Sequence, residues 1–229
     1  MFFDPFYFLF ALPALILGLY AQFKVRSAYE RYQRVRNAGN MAGFEAAQRL
    51  LAISGLHNVG IRETRGTLSD HYDPRNRTLN LSSGVGRSPS VASLGIVAHE
   101  VGHAVQHAEN YGPMRLRSAI VPVVQLGSWL GPIIFFAGFL LQIPNVPLIG
   151  LLLFSGTLVF ALVTLPVELN ASKRAIALLK DGRMISATEE EGVRSVLSAA
   201  ALTYVAAVVQ ALSTLLYFVF LLSGSRRRS

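Results

Sequence analysis

The sequence predicts a mostly α-helical membrane protein with about four transmembrane helices and a small α+β domain that carries an H-E-x-x-H helix. Of its 229 residues, 52% are hydrophobic and only 15% are charged, which is too apolar for an ordinary soluble domain. The apolar residues form uncharged blocks, each of roughly 20 residues and so long enough to cross a bilayer as a helix. These blocks are residues 6–23, 119–142, 147–167 and 199–222. The H-E-x-x-H pentapeptide, residues 99–103, lies within a helix-compatible segment at residues 90–108.

The first block is interpreted as a retained membrane anchor rather than a cleaved signal peptide. The residues before it, MFFDP, contain no basic side chain. The sequence after it, QFKVR at residues 22–26, offers no small-x-small cleavage site. We therefore expect residues 1–23 to stay in the membrane.

The net charge of +8 follows a membrane pattern and does not indicate nucleic-acid binding. The segment between the first two blocks holds 13 of the 21 Lys and Arg residues, the segment between the last two holds 5, and the turn at residues 143–146 holds none. This asymmetry is typical of the positive-inside rule and places both basic segments on the cytoplasmic side. The basic residues that follow the first block can meet anionic lipid head groups; they are Lys24, Arg26, Arg31, Arg34 and Arg36. No nucleic-acid-binding motif is present.

Five segments are predicted along the chain. They are an anchor (1–23), a cytoplasmic region with the H-E-x-x-H helix (24–118), a transmembrane hairpin (119–167), a cytoplasmic helical segment (168–198) and a last membrane helix with a basic tail (199–229). Four spans that start outside would leave the three arginines at 226–228 outside, against the positive-inside rule. A half-inserted or re-entrant fourth block would remove this conflict.

The cytoplasmic region before the H-E-x-x-H segment has a readable order. Residues 43–53 have helical periodicity and end before Gly55, and residues 59–63 read as a short strand. Residues 66–69 and 78–82 alternate polar with apolar side chains around a turn at 73–76, which predicts a hairpin. Such a hairpin could bind an extended peptide along an exposed edge, or it could be merely structural.

The H-E-x-x-H spacing is suited to binding a metal ion. Because His99 and His103 are four residues apart, they lie on one helical face, and both imidazoles can reach a single tetrahedral Zn²⁺. Glu100 follows the first histidine, where its carboxylate can act as a base toward water at the metal. The alternative is a coincidental pair of helical histidines beside a surface glutamate. The chain has no cysteine, so a zinc ion here must be bound by histidine and carboxylate side chains.

Three histidines are weaker candidates for the third ligand. His57 and His71 lie upstream, in or near loops. His107 continues the four-residue spacing, but eight residues of helix rise about 12 Å and turn the face by about 80° from His99. His107 is therefore expected near the helix end, beside the site rather than on the metal.

Glu168 is the better candidate for the third ligand. It is the only acidic residue between positions 110 and 180, and it directly follows the third apolar block. A carboxylate at the membrane edge is costly unless it is paired or bound to metal. We expect Glu168 to project from the first turn of a helix that covers residues 169–179. The alternative is an interfacial glutamate paired with Lys173 or Arg174.

Several motifs, in the same order along nearly the whole chain, resemble the YugP-like membrane zinc metallopeptidases, also called neutral zinc metallopeptidase family 2. They are SDHYDP (69–74), LNLS (79–82), AHEVGHAVQH (98–107), LPVE (165–168), ASKRA (171–175) and ALTYV (201–205). The resemblance implies a zincin-like domain in a multi-pass bacterial membrane protein, a zinc-dependent endopeptidase distantly similar to the HtpX and CAAX-protease group. Carried over by motif, the ligands of one Zn²⁺ are His99, His103 and Glu168, and the catalytic base is Glu100.

The chain departs from the family pattern at one position. Asn170 stands two residues after the Glu ligand, where the family usually has Asp. A carboxylate there would orient a ligand histidine and raise its basicity. Asn can accept a hydrogen bond but brings no charge, so metal affinity or activity could be lower. A second donor to the substrate oxyanion is also expected, with His71, Tyr72 and Tyr204 as candidates.

The resemblance leads us to expect peptide-bond hydrolysis at the cytoplasmic face of the cell membrane, on a peptide or membrane-protein substrate. The alternative function is a non-catalytic binding or assembly factor with a structural zinc site. The intact Glu100 argues against this alternative, since a structural site needs no base. Intramembrane proteolysis is disfavoured because the H-E-x-x-H helix is too polar to face lipid, as it carries Ser88, Ser90, Ser93 and Glu100.

Overall fold

The structure, a computed structural model, describes residues 5–226. Its helices are α1 (Pro5–Gln33), α2 (Gly43–Ile53), α3 (Ser83–Gly86), α4 (Val91–Ala108), α5 (Gly112–Leu140), α6 (Val146–Asp181) and α7 (Ala187–Arg226). Its strands are β1 (Gly60–Thr64), β2 (His71–Asp73) and β3 (Thr78–Ser82). The predicted outside location of the basic tail falls partly on residues 227 and 228, which lie outside the described residues.

Four helices of the described residues are long and apolar enough to cross a membrane, and each overlaps one of the predicted apolar blocks; the second block runs two residues past the end of its helix. They cover Phe6–Gln33, Gly112–Leu140, Val146–Asp181 and Ala187–Gly224. The predicted fold class is confirmed: the chain is a mostly α-helical membrane protein with a small α+β part. The five-segment division of the chain stays a prediction.

The chain divides into two compact units. The membrane unit contains the described parts of residues 1–21 and 203–229 together with Arg115–Leu165. Its helices expose large apolar side chains, among them Val123 at 74% and Leu140 at 76%, as lipid-facing helices do. Within this unit α5 and α6 approach closely where Gly150 lies against the backbone of Phe135, a contact that leaves no room for a side chain.

The second unit, which we call the site unit, contains Gln22–Met114 and Pro166–Leu202. Its sheet has the order β1-β3-β2, with β1 parallel and β2 antiparallel to the central β3. The predicted helix over 43–53 is confirmed, and the strand predicted at 59–63 is observed one residue further on.

The first strand of the hairpin was predicted at the wrong place. Residues 66–69 form a loop, and β2 is the strand that pairs with β3. The φ angles of Gly66 (107°) and Leu68 (54°) lie in the left-handed region, which an extended strand cannot contain. The alternation of polar and apolar side chains at 66–69 therefore does not reflect a strand.

Helix α4 begins where the sequence predicts, and the side chain of Ser90 caps it by accepting a hydrogen bond from the Ser93 N–H. Most of α4 is buried, with Leu94, Val97 and Val101 fully enclosed in the core of the site unit. The H-E-x-x-H sequence is therefore held on a rigid, buried helix.

Glu168 does not lie in the first turn of a helix, contrary to the prediction. Helix α6 runs without interruption from Val146 to Asp181, with Pro166 inside it. Membrane-type helices tolerate proline where neighbouring groups satisfy the freed backbone carbonyl. Glu168 thus projects from the middle of a long helix.

Candidate metal centre

Three potential metal ligands meet in the site unit: His99 and His103 on α4 and Glu168 on α6. Oε2 of Glu168 lies 3.2 Å from Nε2 of His99 and 3.3 Å from Nε2 of His103. One ligand atom from each residue lies within 4.8 Å of the other two. Within residues 5–226 this is the one group of three or more His, Cys, Asp or Glu residues that could hold a metal ion. The site unit therefore brings together the three residues that the sequence singled out.

Helix spacing and a close helix contact produce this arrangement. The two histidines are one turn apart on α4, with their rings 4.7 Å apart between centroids. Gly102 lies against α6, and a Cβ atom there would be 2.8 Å from the carbonyl oxygen of Ala171. Ala171 is three residues after Glu168, so the same contact that requires glycine brings the carboxylate to the histidine pair.

The hydrogen bonding of His103 tests whether these residues fit a cation. Nδ1 of His103 lies 3.0 Å from Oε1 of Gln106, and Nε2 lies 3.3 Å from the Glu168 carboxylate. A neutral imidazole carries one N–H, so it cannot donate to two acceptors. Burial lowers the pKa of His103, but the Glu168 and Glu100 carboxylates outweigh it and hold that pKa above its usual value. A cation between Nε2 of His103 and the Glu168 carboxylate would stabilise both groups, so the arrangement fits a metal ion. Two histidines and a glutamate are a ligand set that zinc accepts.

Each histidine of the pair has a hydrogen-bond partner at Nδ1, away from the centre. The hydroxyl of Ser172 lies 3.2 Å from Nδ1 of His99, and Gln106 holds His103. Neither partner was identified from the sequence. Gln106 could have been found, because it lies three residues after His103 on the same helix face. Ser172 could not, since only the contact between α4 and α6 brings it to His99.

Glu100 lies beside the histidine pair and is 9% exposed. Its Oε2 accepts a 2.9 Å hydrogen bond from the backbone N–H of Tyr72 on β2. Burial raises the pKa of the Glu100 carboxyl above its usual value, against the opposing effect of the neighbouring histidines. A buried carboxyl with a raised pKa, next to a cluster of metal ligands, is suited to accept and release a proton at the site.

The other three histidines lie outside the cluster. His107 is in the last turn of α4, as expected, where its Nδ1 lies 2.8 Å from the hydroxyl of Tyr72. His71 is exposed, with Nδ1 2.8 Å from the carbonyl oxygen of Ser69. His57 is exposed in the loop after α2.

Asn170 is linked to His103 through Gln106, whereas the resemblance implied a direct contact with a ligand histidine. Its Oδ1 accepts hydrogen bonds from Gln106 (2.9 Å) and Arg174 (2.7 Å), so it acts on His103 through Gln106 rather than directly. Arg174, considered above as a partner for Glu168, forms an ion pair with Glu109 at 2.7 Å. Tyr204 is on α7 in the membrane unit, and its role as an oxyanion donor stays a prediction.

Long apolar helices and a His-His-Glu group beside a buried glutamate are the features expected of a membrane protein of the metallopeptidase class. Residues 7–223 match the family model described as "Putative neutral zinc metallopeptidase". The chain belongs to this neutral zinc metallopeptidase family, as its motifs led us to expect.

A curated relative extends the comparison over almost the whole chain. The chain is 46% identical over 213 residues to the "Putative membrane protease YugP" of Bacillus subtilis (strain 168). The match covers 93% of this chain and 95% of that protein. No solved structure matches the chain.

Proposed function

We propose that this protein is a membrane-anchored zinc endopeptidase that hydrolyses peptide bonds with Glu100 as the general base. One observation carries the proposal: the buried Glu100 carboxylate lies beside the His-His-Glu cluster and is held by the backbone of the edge strand β2. A structural metal site has no use for such a carboxylate. Membership of the zinc metallopeptidase family supports the same reading.

His99, His103 and Glu168 would hold one zinc ion per chain. When bound, zinc supplies Lewis-acid activation of a water molecule and of the scissile carbonyl. The three side chains provide two neutral nitrogen ligands and one carboxylate oxygen. His103 and Glu168 are buried and His99 is half-buried, which strengthens each electrostatic interaction within the site.

Glu100 moves the proton in this proposal. One carboxylate oxygen, Oε2, is held by the Tyr72 N–H, which leaves Oε1 to take a proton from the attacking water. Glu100 then delivers that proton to the leaving amine. The raised pKa of Glu100 favours both steps, because a carboxyl that binds a proton more readily is a better base and still a usable acid.

Strand β2 is proposed to bind the substrate peptide. It is an edge strand whose inner side pairs with β3, while the Tyr72 N–H on its outer side points toward Glu100. An extended peptide laid along this edge would pass directly in front of Glu100. The second donor to the oxyanion is proposed to come from His71, Tyr72 or Tyr204. Tyr72 already engages His107 through its hydroxyl, whereas the His71 ring is exposed on the same strand.

We place the site on the cytoplasmic side of a multi-pass membrane protein, with membrane lipid and a peptide or membrane protein as its partners and without nucleic acid. The support for this orientation is the charge distribution, since 18 of the 21 basic residues lie in the two segments that contain the site elements.

The test compares cells that carry the wild-type chain with cells that carry Glu100→Gln. Membrane proteins should accumulate uncleaved in the variant, and the purified variant should keep its zinc while losing peptide cleavage by about 10²- to 10⁴-fold. Near-normal cleavage by the variant would refute the mechanism. Zinc without cleavage in the wild type would favour the non-catalytic binding factor.

A further inference from the structure

We propose that Gln106 is a positioning residue that holds His103 in its Nδ1–H tautomer, so that Nε2 is the nitrogen offered to the metal. The proposal rests on the zinc site proposed above. It concerns a polar chain that links Arg174 and Asn170 on α6, both half-buried, to the buried Gln106 and His103 on α4. We call this chain the amide relay.

The amide group of Gln106 is fully buried and has a polar partner on each side. Its Nε2 lies 2.9 Å from the carbonyl oxygen of Val167 and 2.9 Å from Oδ1 of Asn170. Its Oε1 lies 3.0 Å from Nδ1 of His103. These contacts determine which end of the amide faces which partner.

The carbonyl oxygen of Val167 can only accept a hydrogen bond, so the group that faces it must be the NH₂ of Gln106. The Oε1 atom of Gln106 must then face His103. Because Oε1 can only accept, Nδ1 of His103 must carry the proton. In a neutral imidazole this leaves a lone pair on Nε2, the atom nearest Glu168.

Arg174 gives the relay a second point of fixation. The guanidinium Nε of Arg174 donates a 2.7 Å hydrogen bond to Oδ1 of Asn170, and arginine has no acceptor. Asn170 must therefore present its oxygen to Arg174 and, with the same atom, to Gln106. The relay requires an acceptor oxygen at position 170, and either asparagine or aspartate supplies one.

The other histidine of the pair is held differently. Its partner, the Ser172 hydroxyl, can both donate and accept, so the 3.2 Å contact with Nδ1 of His99 does not select a tautomer. The protein therefore selects the tautomer of His103 but not that of His99. Variants of Gln106 and Ser172 can be compared on this basis.

The test uses Gln106→Met, which keeps the side-chain length and removes both the donor and the acceptor. Zinc affinity, measured by competition with a chelator, should fall about 10- to 100-fold. Gln106→Glu keeps an acceptor oxygen for His103 but loses the donors to Val167 and Asn170, so it should recover only part of that loss. Ser172→Ala, which removes the Nδ1 partner of His99, should lower the affinity less than Gln106→Met. Equal affinity in Gln106→Met and the wild type would overturn the proposal.

A second measurement needs no variant and is independent of activity. Nitrogen-15 NMR of the imidazole rings in the wild-type protein, without zinc and at alkaline pH, should show His103 protonated at Nδ1. A proton on Nε2 would overturn the proposal even if Gln106→Met failed to fold. If the wild type bound no zinc at all, the proposed function would fail, but this spectrum would still decide whether the relay sets the tautomer.

Discussion

The backbone N–H of Tyr72 donates a 2.9 Å hydrogen bond to Oε2 of Glu100 and so joins the edge strand β2 to the helix of the metal centre. The strand proposed to bind the peptide and the carboxylate proposed to accept the proton are therefore linked by one hydrogen bond. The contact is made by the backbone, so it depends on the path of the strand and not on the identity of residue 72.

This relationship predicts that Tyr72→Pro impairs cleavage more than Tyr72→Ala does. Both variants lose the phenol ring, but only proline removes the N–H that holds Glu100. That N–H points away from β3, so proline breaks no bond between the two strands. We expect kcat to be about 10- to 100-fold lower in Tyr72→Pro than in Tyr72→Ala. This fold-change corresponds to the free energy that a hydrogen bond to a charged group contributes. The bound zinc should be the same in both, and equal kcat values would contradict the role given to this hydrogen bond.

His99→Ala and His103→Ala should each abolish stoichiometric zinc binding. The wild type purified in detergent is expected to carry about one zinc per chain, as a single His-His-Glu site requires. Elemental analysis of the three proteins after dialysis is the measurement. Full zinc retention in either variant would remove the basis of the metal centre.

Glu168→Ala should weaken zinc binding strongly, whereas His107→Ala should leave the stoichiometry intact. The reason is geometric: Oε2 of Glu168 lies 3.3 Å or less from Nε2 of each histidine, while His107 contacts Tyr72 instead. Metal analysis of both variants checks the assignment. The opposite pattern, with zinc lost only in His107→Ala, would show that the third ligand is wrong.

Gly102→Ala should destabilise the site unit and lower its zinc affinity together. The added Cβ would lie 2.8 Å from the carbonyl oxygen of Ala171, so α4 and α6 must separate and Glu168 must withdraw. Overpacking of this kind costs about 1–3 kcal/mol. The control is Gly112→Ala, whose Cβ would have no neighbour within 4 Å. Thermal unfolding and chelator competition should distinguish the two, and a silent Gly102→Ala would argue against a close helix contact.

Asn170→Asp should preserve or raise zinc affinity. Aspartate keeps the acceptor oxygen that Gln106 and Arg174 share and adds a charge beside the guanidinium. Asn170→Leu removes that oxygen and should lower the affinity by less than about tenfold, since Val167 still orients Gln106. Chelator competition on both variants gives the comparison. A loss in Asn170→Asp as large as in Asn170→Leu would mean that the amide itself is needed.

Local periodicity was enough to predict much of the architecture. Apolar blocks of membrane length locate the four described helices that are long and apolar enough to cross a membrane, because a bilayer requires an uninterrupted apolar helix. The pairing of His99 with His103 follows from 3.6 residues per turn, and the observed α4 bears it out. Local pattern misplaced the first strand of the hairpin, since backbone angles in the left-handed region at Gly66 and Leu68 leave no mark on the alternation of side chains.

The sequence by itself determined the chemistry at hand: a histidine pair on one helix, a glutamate beside it, a lone carboxylate after the third apolar block, and no thiol. Only the tertiary structure decided how these groups meet. The contact of Gly102 with Ala171 carries Glu168 to the histidines, and the same contact brings Ser172 and Asn170 into place. The physical reason is that helix periodicity relates residues within about one turn, whereas the distance between residues on different helices depends on how the helices pack.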